Sequence, residues 1–144
     1  AIRAKYRKLN PWPIGEATWA QAGDLGLAVV DTEFGRLGLL ICYDLSCGVP
    51  EKLKEQGVTT LLYPIGWVCP DAKGWFDGML PEKAKDWGLN LVGANWSLPE
   101  EEAEAAEWQG HGHSRIIRAD GRMLARGPPS GDAILYADLD LPAK

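Results

Sequence analysis

Cysteine is scarce in this chain, with three in 144 residues: Cys42, Cys47 and Cys69. An odd number without a C-x-x-C pair is a poor disulfide framework and a poor zinc site. Free thiols of this kind suit a reducing compartment, so a cytoplasmic setting is expected. The two histidines, His111 and His113, share the run Gly110-His111-Gly112-His113 with no further ligand at metal-binding spacing, so no metal centre is expected. No apolar run is long enough to cross a bilayer, and membrane residence is not expected. The net charge of −5 comes without a broad basic stripe, which argues against nucleic acid as a partner. Internal repeats and low-complexity linkers are absent. No signal-peptide pattern opens the chain. Ala1 falls inside what reads as a strand or active-site segment, so a natural upstream part is expected.

What is present is ordinary for a globular domain: 46% apolar and 24% charged residues, in a length that can bury one core. A basic opening, Lys5-Tyr6-Arg7-Lys8, leads into Pro11-Trp12-Pro13, where alternate prolines exclude helix. Leu27 to Asp31 reads as a strand. Phe34-Gly35-Arg36 turns it back, and Leu37 to Tyr43 is a nearly continuous apolar run that suits a central strand buried on both faces. A helix follows, with Pro50 in its first turn, Glu51 at its positive end and Gly57 at its C-terminal cap. Thr59 to Ile65 is the next buried strand. Residues 75 to 87 read as helix, with a break or a new start expected near Gly78 and Pro81. Leu89 to Asn95 is a third strand. Ser114 to Arg118 and Arg122 to Arg126 flank Asp120-Gly121, a hairpin signal, and Ala133 to Leu139 reads as a last strand.

The order strand–helix–strand–helix–strand, followed by a strand-rich tail, predicts an α/β fold with a mixed sheet. The helices suffice for one face of that sheet, and the other face needs a second sheet or further chain. The acidic stretch from Pro99 to Trp108 is expected to be a solvated helix or loop; the alternative is a flap at a pocket mouth or a subunit contact.

Cys42 closes the buried run Gly38-Leu39-Leu40-Ile41 and stands just before a helix. A nucleophile at a sharp strand-to-helix turn is exposed at the carboxyl edge of the sheet, with the following N–H, that of Tyr43, aimed at a bound carbonyl oxygen. The same position also suits a cysteine acting only as a small core residue. A thiol at neutral pH needs a cation or base, and Lys8, His111 and His113 are the groups on offer.

Lys5-Tyr6-Arg7-Lys8-Leu9-Asn10-Pro11-Trp12 resembles the lysine motif of the nitrilase superfamily of carbon–nitrogen hydrolases, most closely its aliphatic-amidase and formamidase-like branch. Gly15-Glu16, with Trp19 three residues on, is similar to that branch's additional glutamate. Gly38-Leu39-Leu40-Ile41-Cys42-Tyr43-Asp44, with Pro50-Glu51 following, resembles the nucleophile motif. Gly93-Ala94-Asn95, Gly112-His113-Ser114-Arg115-Ile116-Ile117 and Asp120-Gly121-Arg122 resemble the later strands. Three motifs in order, over nearly the whole chain, make a chance match a poor explanation.

The resemblance implies the C-terminal portion of an α-β-β-α sandwich and one partial carbon–nitrogen hydrolase domain over residues 1–144. It implies Cys42 as nucleophile, Lys8 as catalytic lysine and Glu16 as an additional glutamate, with the general-base glutamate in an upstream motif that these residues do not contain. Such a fragment is expected to be inactive alone. Tyr43, Trp12 and Trp67 are expected to contact substrate, with Trp19 nearby. Trp75, Trp87, Trp96 and Trp108 are expected in the core or at an interface, Cys47 and Cys69 as packing residues, and His113 and Ser114 as supports behind the site. Tyr43-Asp44 after the cysteine is more amidase-like or carbamoylase-like than nitrile-specific. The implied reaction is hydrolysis of a small carboxamide through a thioester, without organic or metal cofactor, by a homo-oligomer built from dimers. The alternatives are an N-carbamoyl hydrolase, a nitrilase, or a truncated binding or assembly module.

Overall fold

A computed structural model describes residues 1–67, 75–99 and 112–140. Six strands form one mixed sheet in chain order: β1 (Ala28–Thr32), β2 (Gly35–Leu39), β3 (Thr60–Ile65), β4 (Asn90–Asn95), β5 (Arg115–Ile117) and β6 (Met123–Arg126). The three central strands, β2, β3 and β4, run parallel, and antiparallel pairs flank them on both sides. Parallel neighbours need crossovers, and two helices supply them. Helix α1 (Val49–Glu55) joins β2 to β3, and α2 (Leu80–Trp87) precedes β4.

Alternation along the strands sorts residues onto two faces. Val29, Gly38, Leu61, Leu91 and Ile117 stand side by side in register on the face that carries the core. Leu53 of α1 and Leu80, Ala84 and Trp87 of α2 pack with Leu61, Leu91 and Ile117 in one buried cluster. The other face carries Ala28, Leu39, Leu62, Val92, Ile116 and Ala125, also in register. Leu39, Leu62 and Val92 in that row are only half-buried. Both helices thus lie on one side, as one layer of a sandwich requires, and β2 is covered on one face rather than two.

The helix boundaries follow their local chemistry. Gly48, at φ +73°, precedes α1, Pro50 occupies its first turn, and Gly57, at φ +76°, lies just past its end. Before α2, Trp75–Met79 form a π-helical turn that runs directly into Leu80. Of the two outcomes expected near Pro81, a break or a new start, the structure shows the new start: α2 begins at Leu80 with Pro81 in its first turn. Two expectations are corrected. The run from Leu37 does not continue as strand to Tyr43; it leaves the ladder after Leu39, and Cys42–Ser46 form a 3-10 turn. Residues 133–139 form no strand, because no neighbouring strand among the described residues supplies a ladder. The acidic stretch after Pro99 lies outside the described residues. Among the described residues, no helix is long and apolar enough to cross a membrane.

Candidate active site

The carboxyl ends of β2, β3 and β4 lie along one edge because the three strands are parallel. Leu39 pairs with Leu62, and Ile65 with Asn95. Beyond Leu39 the Leu40 N–H still donates to the Leu62 carbonyl at 3.3 Å, and the chain then enters the turn that Cys42 opens at this edge. Trp67 follows β3 and Trp96 follows β4 at this same edge.

Cys42 opens the 3-10 turn with φ +45°, a left-handed conformation rare for a side chain with a Cβ. Its neighbours hold it there. Leu40 and Leu45 are buried on either side, and Cys42 itself packs against the core cluster. The buried Tyr63 of β3 donates its hydroxyl to the Cys42 carbonyl at 3.0 Å. Burial first, then the nearby Cys42 and Asp44, push the Tyr63 phenol well above its ordinary value, so it stays a neutral donor. The N–H groups opening a helical turn have no acceptor within it, and those of Cys42 and Tyr43 occupy that position here.

Asp44, two residues past Cys42, is fully buried. Its Oδ2 accepts from the Ile41 N–H at 3.0 Å and the Tyr6 hydroxyl at 2.8 Å. Its Oδ1 accepts from the Asn10 N–H and the Asn10 side-chain amide, both at 2.9 Å. Burial, reinforced by the hydrogen bond to Asp44, pushes the Tyr6 hydroxyl far above its ordinary value. Sequence reasoning weighed Asp44 only as a mark of substrate preference. Its buried carboxylate is the feature that sequence reasoning missed, although an acid at the third position of a helical turn is a recognisable signal for capping.

Tyr6 and Asn10 bracket Lys8, whose ammonium pairs with Glu16 Oε2 in a partly buried ion pair. The same carboxylate oxygen accepts from the Trp12 N–H at 2.8 Å. Burial acts to raise the Glu16 carboxyl, but the bonds from Lys8 and Trp12 outweigh it and hold the group below its ordinary value. The loop closes where the Gly23 N–H donates to the Lys8 carbonyl at 2.8 Å. A Cβ on Gly23 would lie 2.3 Å from the Arg7 carbonyl oxygen, so only glycine fits. The Trp12 ring lies against Gly15, where a Cβ would come within 2.9 Å of it. Lys8, Trp12 and Glu16 are therefore one preformed unit.

Trp67 is half-buried against the core cluster, and its backbone N–H donates to Asn95 Oδ1 at 3.1 Å. The indole N–H of Trp96 donates to the Trp67 carbonyl at 3.3 Å. Ser114 accepts from the Asn95 N–H at 2.9 Å and donates to its carbonyl at 3.2 Å. Arg115 is fully buried and pairs with Asp77 at 3.3 Å, and Arg126 meets the same carboxylate. His113 is placed behind this edge at φ +52°, where burial holds its imidazole below the ordinary value.

Trp19 is 78% exposed, and its backbone N–H donates to the Glu16 carbonyl at 3.0 Å. Trp96 is not in the core; it is 43% exposed beside Trp67. Trp87 is in the core, donating to Glu51. Cys47 is half-buried; burial and Asp44 raise its thiol, and Lys8 pulls the other way, which places the ammonium within electrostatic reach of the turn. Cys69, His111 and Trp108 lie outside the described residues, as does the side chain of Trp75. Among the described residues, no three His, Cys, Asp or Glu side chains are grouped to hold a metal. A pocket of about 240 Å³ lies between α1 and α2, lined by Ser46, Glu51, Lys83 and Trp87 among others; Cys42 is not among its lining residues.

The family model described as carbon-nitrogen hydrolase matches residues 1–143. The chain belongs to the carbon-nitrogen hydrolase family. Human omega-amidase NIT2 is 27% identical over 148 residues, spanning 97% of this hydrolase chain and 52% of that protein. Cyanide hydratase of Neurospora crassa is 29% identical over 160 residues, spanning 94% of this chain and 45% of that protein. Among solved structures, a carbon-nitrogen hydrolase from Helicobacter pylori G27 superposes with a TM-score of 0.79 at 26% identity, covering 97% of this chain and 52% of that one. The chain thus spans about half the length of the curated relatives it matches. The six-stranded mixed sheet with helices on one face is the nitrilase-superfamily fold.

Proposed function

We propose that this carbon-nitrogen hydrolase chain carries the nucleophile and lysine of an amidase acting on small carboxamides. The observation that supports the reading best is the strained Cys42 turn joined through Asp44 to the segment that bears the Lys8–Glu16 pair. A glutamate from a segment outside these 144 residues takes the thiol proton, and the thiolate attacks the amide carbonyl. The tetrahedral oxyanion is held by the Lys8 ammonium and the Tyr43 N–H. The carbon–nitrogen bond then breaks, the nitrogen leaves as ammonia with the proton returned by the base, and a thioester remains on Cys42. Water, deprotonated by the same base, attacks the thioester; the acid leaves and the thiol is restored. Glu16 keeps Lys8 oriented and charged, while Trp12, Tyr43 and Trp67 line a small apolar pocket. The reading carries no cofactor and includes a homo-oligomer assembled from dimers in a reducing, cytoplasmic setting.

Cyanide hydratase among the relatives keeps a nitrile substrate as the rival within the same chemistry. Ammonia release from a panel of small amides, N-carbamoyl compounds and nitriles, measured on the full-length protein beside Cys42→Ala, tests the reading. Release from amides, abolished in the variant and accompanied by an acyl adduct on the Cys42 peptide, is expected. Turnover of nitriles or carbamoyl compounds alone would reassign the substrate class. A folded protein turning over none of the three would make the chain a binding or assembly module.

A further inference from the structure

We infer that Asp44 is a positioning residue that couples Lys8 to Cys42, one carboxylate fixing both the segment that bears the lysine and the turn that bears the thiol. This rests on the roles proposed above for Cys42 and Lys8. The two oxygens divide the work unevenly. Oδ1 is given wholly to Asn10, two residues after Lys8; Oδ2 is shared between Tyr6, two residues before Lys8, and the Ile41 N–H, immediately before Cys42. Lys8 is therefore held from both sides by the group that also holds the residue preceding Cys42. Four donors converge on a fully buried carboxylate, and each oxygen faces one backbone N–H that cannot turn away. Asparagine has the same size, but in either orientation its NH2 would confront a backbone N–H. The Asp44→Asn change therefore breaks one half of the link without opening a cavity.

The test is a double-mutant cycle on the rate at which iodoacetamide alkylates Cys42 at one fixed pH, read on the Cys42 peptide, with free glutathione in the same reaction as the reference. Lys8→Met is expected to slow Cys42 by about tenfold, the effect of removing a nearby cation from a thiol. Asp44→Asn is expected to slow it by a similar factor, and the double variant to be no slower than either single one, because Asp44 acts through Lys8. In turnover by the full-length protein, Asp44→Asn should lower kcat on the order of 10²-fold while KM stays within about twofold, as misplacement of reacting groups does. A normal Cys42 rate in Asp44→Asn, with a slowed rate in Lys8→Met, would overturn the coupling and leave the proposed chemistry standing. Normal rates in both would overturn the pairing of Lys8 with Cys42, and the coupling with it. If Asp44→Asn does not fold, Tyr6→Phe removes one donor and no backbone bond. It should slow Cys42 less but in the same direction, and an unchanged rate there refutes the inference.

Discussion

Replacing Cys42 by glycine should give a more stable protein than replacing it by alanine, against the usual order of the two residues. Cys42 sits at φ +45°. A residue with a Cβ pays roughly 1–2 kcal/mol for the left-handed region, and glycine pays almost nothing. Glycine also loosens the unfolded chain, which costs about 0.4–1 kcal/mol relative to alanine. Both variants lose the thiol from its contact with the core, so that term cancels in the comparison. The remaining difference favours glycine by about 0.5–1 kcal/mol at 25 °C. With a urea slope of about 2 kcal/mol/M, the Cys42→Gly midpoint should lie about 0.3–0.5 M above that of Cys42→Ala.

Urea unfolding followed by tryptophan fluorescence reads this difference directly, since Trp87 is buried in the core and reports its loss. Equal midpoints, or alanine above glycine, would mean that the turn relaxes around any side chain and that no strain is held at Cys42. A midpoint for Cys42→Gly above that of the wild-type protein would go further. It would show that stability is given up to present the thiol, the trade expected where function needs an unfavourable backbone.

The Lys8–Glu16 pair gives a pH prediction with a definite sign. Glu16 has its carboxyl depressed in the folded protein, so the pair's contribution is fully present above the ordinary carboxylate value and is lost as pH falls through the folded one. Stability measured from neutral to acid pH should fall more steeply for the wild type than for Glu16→Gln; parallel curves would remove the pair from the stability of the loop. Gly23→Ala should cost on the order of 2 kcal/mol, because its Cβ would press 2.3 Å from the Arg7 carbonyl oxygen, whereas Gly66→Ala, with open space around it, should stay within about 0.5 kcal/mol. Thermal unfolding of the pair checks this, and equal losses would show that the loop is not closed at Gly23.

The fold was legible where pattern and punctuation agreed. Apolar runs place β3 and β4 to within a residue and the start of β2, beside Gly35, to within two, although the end of β2 falls four residues earlier than read; Asp120-Gly121 marks the β5–β6 turn, where the Gly121 N–H returns to the Arg118 carbonyl at 2.8 Å. One reading failed for a reason that lies outside local sequence: residues 133–139 alternate as a strand should, but a strand exists only with a ladder partner. Pro81, read as either a break or a new helix start, proves to be the second, in the first turn of α2. In the site, the motif order singled out Lys8, Glu16 and Cys42, and the structure joins the lysine to the glutamate and fixes their loop to the cysteine turn through Asp44. Trp96 could not be told from a core tryptophan without the register that sets Asn95 beside Ile65.

The location of Cys42, the proposed nucleophile, is decided as much by the core as by the site. A one-residue slip between β2 and β3 would turn Leu61 and Tyr63 away from the helices and bring Leu62 and Pro64 inward. Gly38 opposes such a slip: it meets Leu53 and Val58 so closely that a Cβ would stand 3.0 Å from each, so α1 seats on β2 at that point. Leu40 and Leu45 then carry the chain through the core before and after the turn, and Tyr63 and Asp44 fix its backbone between them. Strain of a kcal/mol or two at Cys42 can persist only under such over-determination. The polar half of that constraint, Asp44, also secures the lysine loop. On the proposed coupling, a variant that removes Asp44 should loosen the Cys42 turn and the Lys8 loop together.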